Sequence, residues 1–110
     1  MSYDILTSEN FVKELKRLAK KYPSLKQDVE VLGESLAENP EQGSPLGRNC
    51  YKIRLAIKSK GRGKRGGARV ISCVVALQES VTLLSIFDKA DQATISDQEI
   101  ERLLIENDLA

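Results

Sequence analysis

The sequence predicts an α+β domain: two N-terminal helices and a C-terminal helix packed on a mainly antiparallel sheet of three to four strands. Three observations carry this. Apolar residues recur at helical spacing before Asn39 and again after Ser96. Between Cys50 and Phe87 they alternate or run together instead, as strand residues do. Those strands follow one another without an intervening helix, which favours antiparallel pairing over a doubly wound sheet. At 110 residues the chain is one domain, 1–110, around one core.

Tyr3-Asp4-Ile5-Leu6 reads as a short edge strand. Phe11, Leu15, Leu18, Ala19 and Tyr22 then form the apolar stripe of a helix from about Ser8 to Lys21. Tyr22-Pro23 ends it, because a residue before proline is pushed out of the helical region. A second helix is expected from Ser24, with Gln27 completing a capping box and Leu25, Val29, Leu32 and Leu36 buried. Asn39-Pro40 stops it, and "NPEQGSPLG" reads as a connecting loop. The short link between the helices predicts an antiparallel hairpin.

From Cys50 the period changes. Tyr51, Ile53, Leu55 and Ile57 alternate with Lys52, Arg54, Ala56 and Lys58, predicting a strand with one apolar and one cationic face. Ala68–Leu77 is apolar and β-branched enough for a central strand, and Val81–Phe87 for a third. Gln78-Glu79-Ser80 is the turn between them. Ser96 and Glu99 make another capping box, opening a helix through Ile100, Leu103 and Leu104.

Composition narrows the classes further. The chain is 41% hydrophobic and 30% charged, as a globular protein is, and carries neither a membrane-spanning run nor a secretory signal. A cytoplasmic location is expected, with Cys50 and Cys73 reduced and buried. With two cysteines and no histidine, a zinc site lacks ligands.

The net charge is only +1, but it is unevenly spread. No acidic residue lies between Gln42 and Gln78, whereas Arg48, Lys52, Arg54, Lys58, Lys60, Arg62, Lys64, Arg65 and Arg69 all do. A cationic middle between acidic ends is the pattern of a face that meets a polyanion. Its centre, "KSKGRGKRGGARV", packs six cationic side chains and four glycines into thirteen residues. Gly61-x-Gly63-x-x-Gly66 matches a dinucleotide fingerprint in letters only. That motif needs a strand before it and a helix after it, and here strands stand on both sides. Gly63-Lys64 is followed by Arg65, not Ser or Thr, so the P-loop pattern fails too. A solvated hairpin loop would mix charges of both signs. Here the positive charge continues into the flanking strands, which predicts phosphate binding. With only Tyr51 and Phe87 nearby, a base-stacking platform is not expected.

Taken together, "FVKELKRLAKKYPSLKQDVEVL", "LAENPEQGSPLGRNCYKIRLAIKSKGRGKRGGARVI" and "VTLLSIFDKAD" resemble the RelE/ParE toxin superfamily, nearest its RelE/HigB-like branch. The resemblance runs from about Phe11 to Ile105. It is strongest at Tyr51-Lys52-Ile53-Arg54, at Gly63 to Ile71 and at Phe87-Asp88-Lys89. It implies the toxin of a type II toxin–antitoxin pair. RelE-like members cleave mRNA in the ribosomal A site, and ParE-like members inhibit DNA gyrase without cleaving RNA. The implied partners are a cognate antitoxin, the ribosome and mRNA, with operator DNA met only through the antitoxin and no membrane contact. No cofactor is implied.

RNA is cut without metal when its 2′-OH attacks the adjacent phosphorus. That step needs a base, cations for the phosphorane and an acid for the leaving oxygen. Without histidine, lysine and arginine must supply most of this, as they do in RelE-like enzymes. A lysine serves as base only where neighbouring cations or desolvation lower its pKa. The resemblance makes Arg69 the holder of the scissile phosphate and Lys89 a second catalytic cation. Arg54 and Lys58 are further catalytic candidates, although Arg54 also fits an ordinary exposed strand position. Lys52, Lys60, Arg62, Lys64 and Arg65 are expected to bind the RNA backbone. Phe87 stands nearest the family's late tyrosine, where it either stacks on a base or is a core aromatic. Ser72 and Cys73 replace tyrosines common in relatives, which leaves open an inactive member that only binds RNA or antitoxin.

Overall fold

The sheet has five strands in the order β1-β5-β4-β3-β2. In the computed structural model, which describes residues 2–61 and 63–110, they are β1 (Asp4–Thr7), β2 (Ser44–Gly47), β3 (Cys50–Leu55), β4 (Ala68–Val75) and β5 (Ser80–Asp88). The helices are α1 (Glu9–Lys21), α2 (Leu25–Glu38) and α3 (Asp97–Glu106). All strand pairs are antiparallel except β1, which enters beside β5 in parallel.

The helices obey their local signals with one exception. Ser8 caps α1 by accepting the Phe11 N–H, and Ser96 caps α3 by accepting the Glu99 N–H. Ser24 forms no such cap. It is itself in the helical region, and its hydroxyl donates to Asp28 and meets Ser59, so the expected capping box with Gln27 does not form. Pro23 acts as expected, with Tyr22 extended at the end of α1.

α1 and α2 bury Phe11, Leu25, Val29, Leu32 and Leu36 against Ile53, Val70, Leu83 and Ile86 on one face of the sheet. α3 covers the opposite face with Ile100, Leu103 and Leu104 over Ile71, Leu84 and Phe87. β4 lies between these layers, which is why every residue from Ala68 to Val74 is buried. Cys50 and Cys73 are register partners on the α3 face, buried and free. Beyond the end of β1, the edge of β5 is closed by α1. Ser8 and Asn10 donate to the Leu84 carbonyl, and the Glu14 carboxylate accepts from the Ile86 N–H.

Two expectations need correction. The segment expected to be loop contains β2, which makes the sheet five-stranded and not three- to four-stranded. β2 ends in a two-residue hairpin whose Arg48 and Asn49 both have positive φ, at 55° and 64°. The first central strand also ends at Leu55, so Lys58 lies in a short 3-10 turn, Lys58–Lys60, and not on the strand's cationic face. Among the described residues, no helix is long and apolar enough to cross a membrane.

Candidate nucleic-acid interface

The glycine-rich segment joins β3 to β4, antiparallel neighbours, so it opens no helix that could meet a pyrophosphate. It is tied down at both ends. At its start, the Asp28 carboxylate on α2 accepts from the Lys58 N–H at 3.1 Å, and Ser24 accepts from the Ser59 N–H at 2.8 Å. At its end, Gly67 passes so close to β3 that a Cβ there would stand 2.1 Å from the Leu55 carbonyl oxygen. The Gly67 carbonyl also accepts from the Lys89 N–H at 3.0 Å, which joins the loop to the chain just after β5. Only glycine permits that approach.

Arg69 braces the same loop from within. It is 4% exposed, on the sheet face opposite α1 and α2. Its guanidinium donates to the carbonyls of Lys64 at 2.9 Å, Ala68 at 3.1 Å and Arg65 at 3.4 Å. Burial lowers its pKa, and Arg54, its register partner on β3, adds to the effect. No carboxylate pairs with it among the described residues. Arg69 is therefore a buried cation whose hydrogen bonds go to neutral carbonyls and on which the charge of a second cation, Arg54, acts. Its charge is left uncompensated, and an anion reaches it only where the turn's carbonyls release it.

The braced turn at Lys64–Gly66 separates two cavities. One, about 460 Å³, runs between α2 and β3, lined by Asp28, Lys58, Lys64 and the β3 backbone, while Lys52 and Arg54, register partners of Ile71 and Arg69, point to the opposite face. The other, about 770 Å³, lies past the end of α1, with Lys21, Lys60, Arg65 and Lys89 around Tyr22. Lys64 faces the first and Arg65 the second, so the three-residue turn sorts the loop's charge to either side.

Below the second cavity lies a polar network. Asp88, at the end of β5, has a fully buried side chain. Its Oδ1 accepts from Lys60 Nζ at 2.7 Å and from the Ala90 N–H, and its Oδ2 from the Tyr22 hydroxyl at 2.5 Å. Burial pushes the Asp88 carboxyl up, but the hydrogen bonds from Lys60, Tyr22 and Ala90 outweigh it and hold the pKa at about 2. The same contact with Asp88 raises Lys60. The ammonium groups of Lys60 and Lys21 each lie 5.4 Å from the centre of the Tyr22 ring.

The expected site residues thus divide. Lys58 and Lys64 share the first cavity, whereas Lys52 and Arg54 stand with Arg69 on the α3 face of the sheet, where Lys52 reaches Thr94 at 3.4 Å. Lys60, Arg65 and Lys89 share the second. Arg69 lines neither cavity. Phe87 is 6% exposed in the cluster under α3, so it is the core aromatic and not a stacking surface. Arg62 lies outside the described residues. Sequence reading missed Tyr22, Asp28 and Asp88, and with them two carboxylates that the fold brings to a loop with none of its own. Asp88 sits in the telling Phe87-Asp88-Lys89 fragment, but nothing local announces a partner sixty-six positions away at Tyr22.

At the level of sequence, no family model and no curated protein matches the chain. Among solved structures it is similar to a free E. coli RelE toxin carrying two arginine-to-alanine substitutions, at TM-score 0.64 and 20% identity over 96% of this chain and 98% of that one. It is also similar to a chain of the RelBE2 toxin–antitoxin complex of Mycobacterium tuberculosis, at 0.61 and 20% over 83% and 95%. A chain of the intact E. coli RelBE toxin–antitoxin complex gives 0.57 and 24% over 79% and 96%. The fold is that of the RelE toxins.

Proposed function

We propose that this chain is the toxin of a type II toxin–antitoxin pair and cleaves mRNA on the ribosome without a metal ion. The observation that supports it most is the combination of a RelE-type fold with cations gathered on both sides of one braced turn and left largely unneutralised. Among the described residues, Lys60 is the one cation of this group in an ion pair. A cognate antitoxin binds it, as in the RelBE toxin–antitoxin complexes, and holds this toxin inactive.

In this reading Lys52 and Arg54, on the sheet face they share with Arg69, grip the scissile phosphate. They supply charge for the phosphorane as the 2′-OH attacks and the 5′ oxygen leaves, and Lys58 and Lys64 hold the backbone beyond the turn. Arg69 acts from below by setting the turn that carries Lys64 and Arg65, and contacts phosphate itself only if the turn's carbonyls release it. Lys89 contributes from the neighbouring cavity. The protein works in the cytoplasm, where its substrate is.

Primer extension on mRNA from a translating extract tests this. Cuts that require ribosomes and vanish with Arg54→Ala are the expected result. Intact mRNA in the presence of folded wild-type protein overturns it. Two observations favour a second reading, an RNA- or antitoxin-binding relative that no longer cuts: the Arg69 donors are taken up by carbonyls and Phe87 is packed away. That reading predicts ribosome binding without cleavage. A ParE-like protein would instead inhibit gyrase supercoiling.

A further inference from the structure

We propose that the cavity around Tyr22 is a second phosphodiester-binding site, which holds the RNA backbone one step away from the group on β3. This rests on the RNA-directed function proposed above and assigns Lys21, a residue outside the basic central stretch, to the same surface.

Four cations surround this cavity, contributed by three separated parts of the chain. Lys21 ends α1, Lys60 and Arg65 belong to the glycine-rich loop, and Lys89 follows β5. Residues so far apart in sequence meet here only because the fold brings them together. Like charges that converge repel one another, and an anion between them removes that cost. The single carboxylate beneath does not fill the role. Asp88 is fully buried and already spent on Lys60, Tyr22 and the Ala90 N–H. Lys21, Arg65 and Lys89 have no carboxylate within ion-pair distance among the described residues.

The floor is also rigid, which lowers the cost of ordering a bound anion. The Tyr22–Asp88 hydrogen bond fixes the ring on which Lys21 and Lys60 rest, and the Lys60–Asp88 pair fixes one of the two ammonium groups. The ligand is a phosphodiester and not a base. Tyr22 is 8% exposed with cations against its ring, so the cavity offers charge but no free aromatic face. Its position favours a continuous strand. Lys64 faces the β3 cavity and Arg65 this one, so a backbone crossing the Lys64–Gly66 turn meets cations on both sides. Messenger RNA and ribosomal RNA present the same phosphodiester, and the experiment separates them.

Lys21 is exposed, and among the described residues its side chain makes no hydrogen bond, so Lys21→Gln tests the cavity without disturbing the core. Binding of a fluorescein-labelled twelve-nucleotide single-stranded RNA is followed from low to moderate salt. Co-sedimentation with purified ribosomes is measured in parallel. Wild type, Lys21→Gln and Arg54→Gln are compared, each with its melting curve. A severalfold weaker RNA affinity for Lys21→Gln, with the slope of log K against log salt reduced by about 0.7, places one phosphate of the strand in the cavity. Weakening on ribosomes alone assigns the site to ribosomal RNA. If Lys21→Gln matches wild type in both assays while Arg54→Gln weakens binding, the second site is overturned and the proposed function stands. If wild type binds neither, both fall.

Discussion

The two cavities that flank the loop each take cations from it, and each has one carboxylate beside it, yet the carboxylates do opposite things. Asp28 spends one oxygen, Oδ2, on a backbone N–H at Lys58 and a hydroxyl at Ser24. It fixes the path of the loop and neutralises no side chain. Asp88 uses both oxygens, one for the Tyr22 hydroxyl and the other for Lys60 and the Ala90 N–H. It fixes a cation. A carboxylate near a basic surface therefore need not weaken it. One determines where the loop runs and the other where a charge sits, and the cations in front remain available to a phosphate.

The contrast is most sharply broken at Asp88. In Asp88→Asn an amide NH₂ must face a donor, whichever way the amide turns, and Lys60 loses its counter-charge in a buried place. A loss of about 3 kcal/mol is expected, within the range for unpairing a buried ion pair. It should appear as a lower urea midpoint with an unchanged slope. A midpoint within error of wild type would show that Asp88 does not hold the floor of the second cavity.

Gly67→Ala comes next. Its methyl group would meet the Leu55 carbonyl at 2.1 Å, so β3 and the start of β4 must separate locally. A cost of about 2 kcal/mol is expected, in line with overpacking elsewhere. Because Gly67 also binds the Lys89 N–H, this substitution should weaken RNA binding at both cavities, unlike Lys21→Gln. Full stability in Gly67→Ala would mean that the loop end yields easily.

Acid separates the two regions by a third route. The Asp88 pKa is about 2 in the folded protein and near 3.8 when unperturbed. A depressed carboxylate contributes stability above its unfolded value and loses it as the pH falls through the folded one. Roughly 2 kcal/mol should therefore vanish between about pH 4 and pH 2. The test is the difference between wild type and Asp88→Asn in urea unfolding, measured from pH 6 downward. The two curves should converge in acid, and parallel curves would remove Asp88 as the titrating group.

How much of this was legible beforehand follows from which signals are local. α1, α2, α3, β3, β4 and β5 were readable because each writes its period or its β-branched run into contiguous residues. β2 was not. Pro45 and Gly47 within four residues read as loop, and Pro45 is tolerated only because β2 is an edge. The hairpin after it turns on Arg48-Asn49 and not on the Asn-Gly that marks such turns. The cationic interface was legible as charge bias, but its division into two cavities depends on Arg69 bracing the turn from the sheet's other face. Phe87 shows the same limit. Its place at a strand end permits stacking, and only the arrival of α3 decides for burial.

The smallest expected effect is the control for the largest. In Asp28→Asn a single carbonyl oxygen can replace Oδ2, because both hydrogen bonds to Asp28 converge on that one atom. The amide NH₂ then turns away from both donors and displaces nothing. Stability should fall by less than about 1 kcal/mol, and the loop keeps its anchor. Removing one negative charge beside Lys58 should also strengthen RNA binding slightly at low salt, an effect that screening erases near physiological ionic strength. The same substitution at two carboxylates under one loop would then be costly at Asp88 and nearly silent at Asp28. Equal costs at the two positions would show that what matters is the buried charge itself and not how many of its oxygens are engaged.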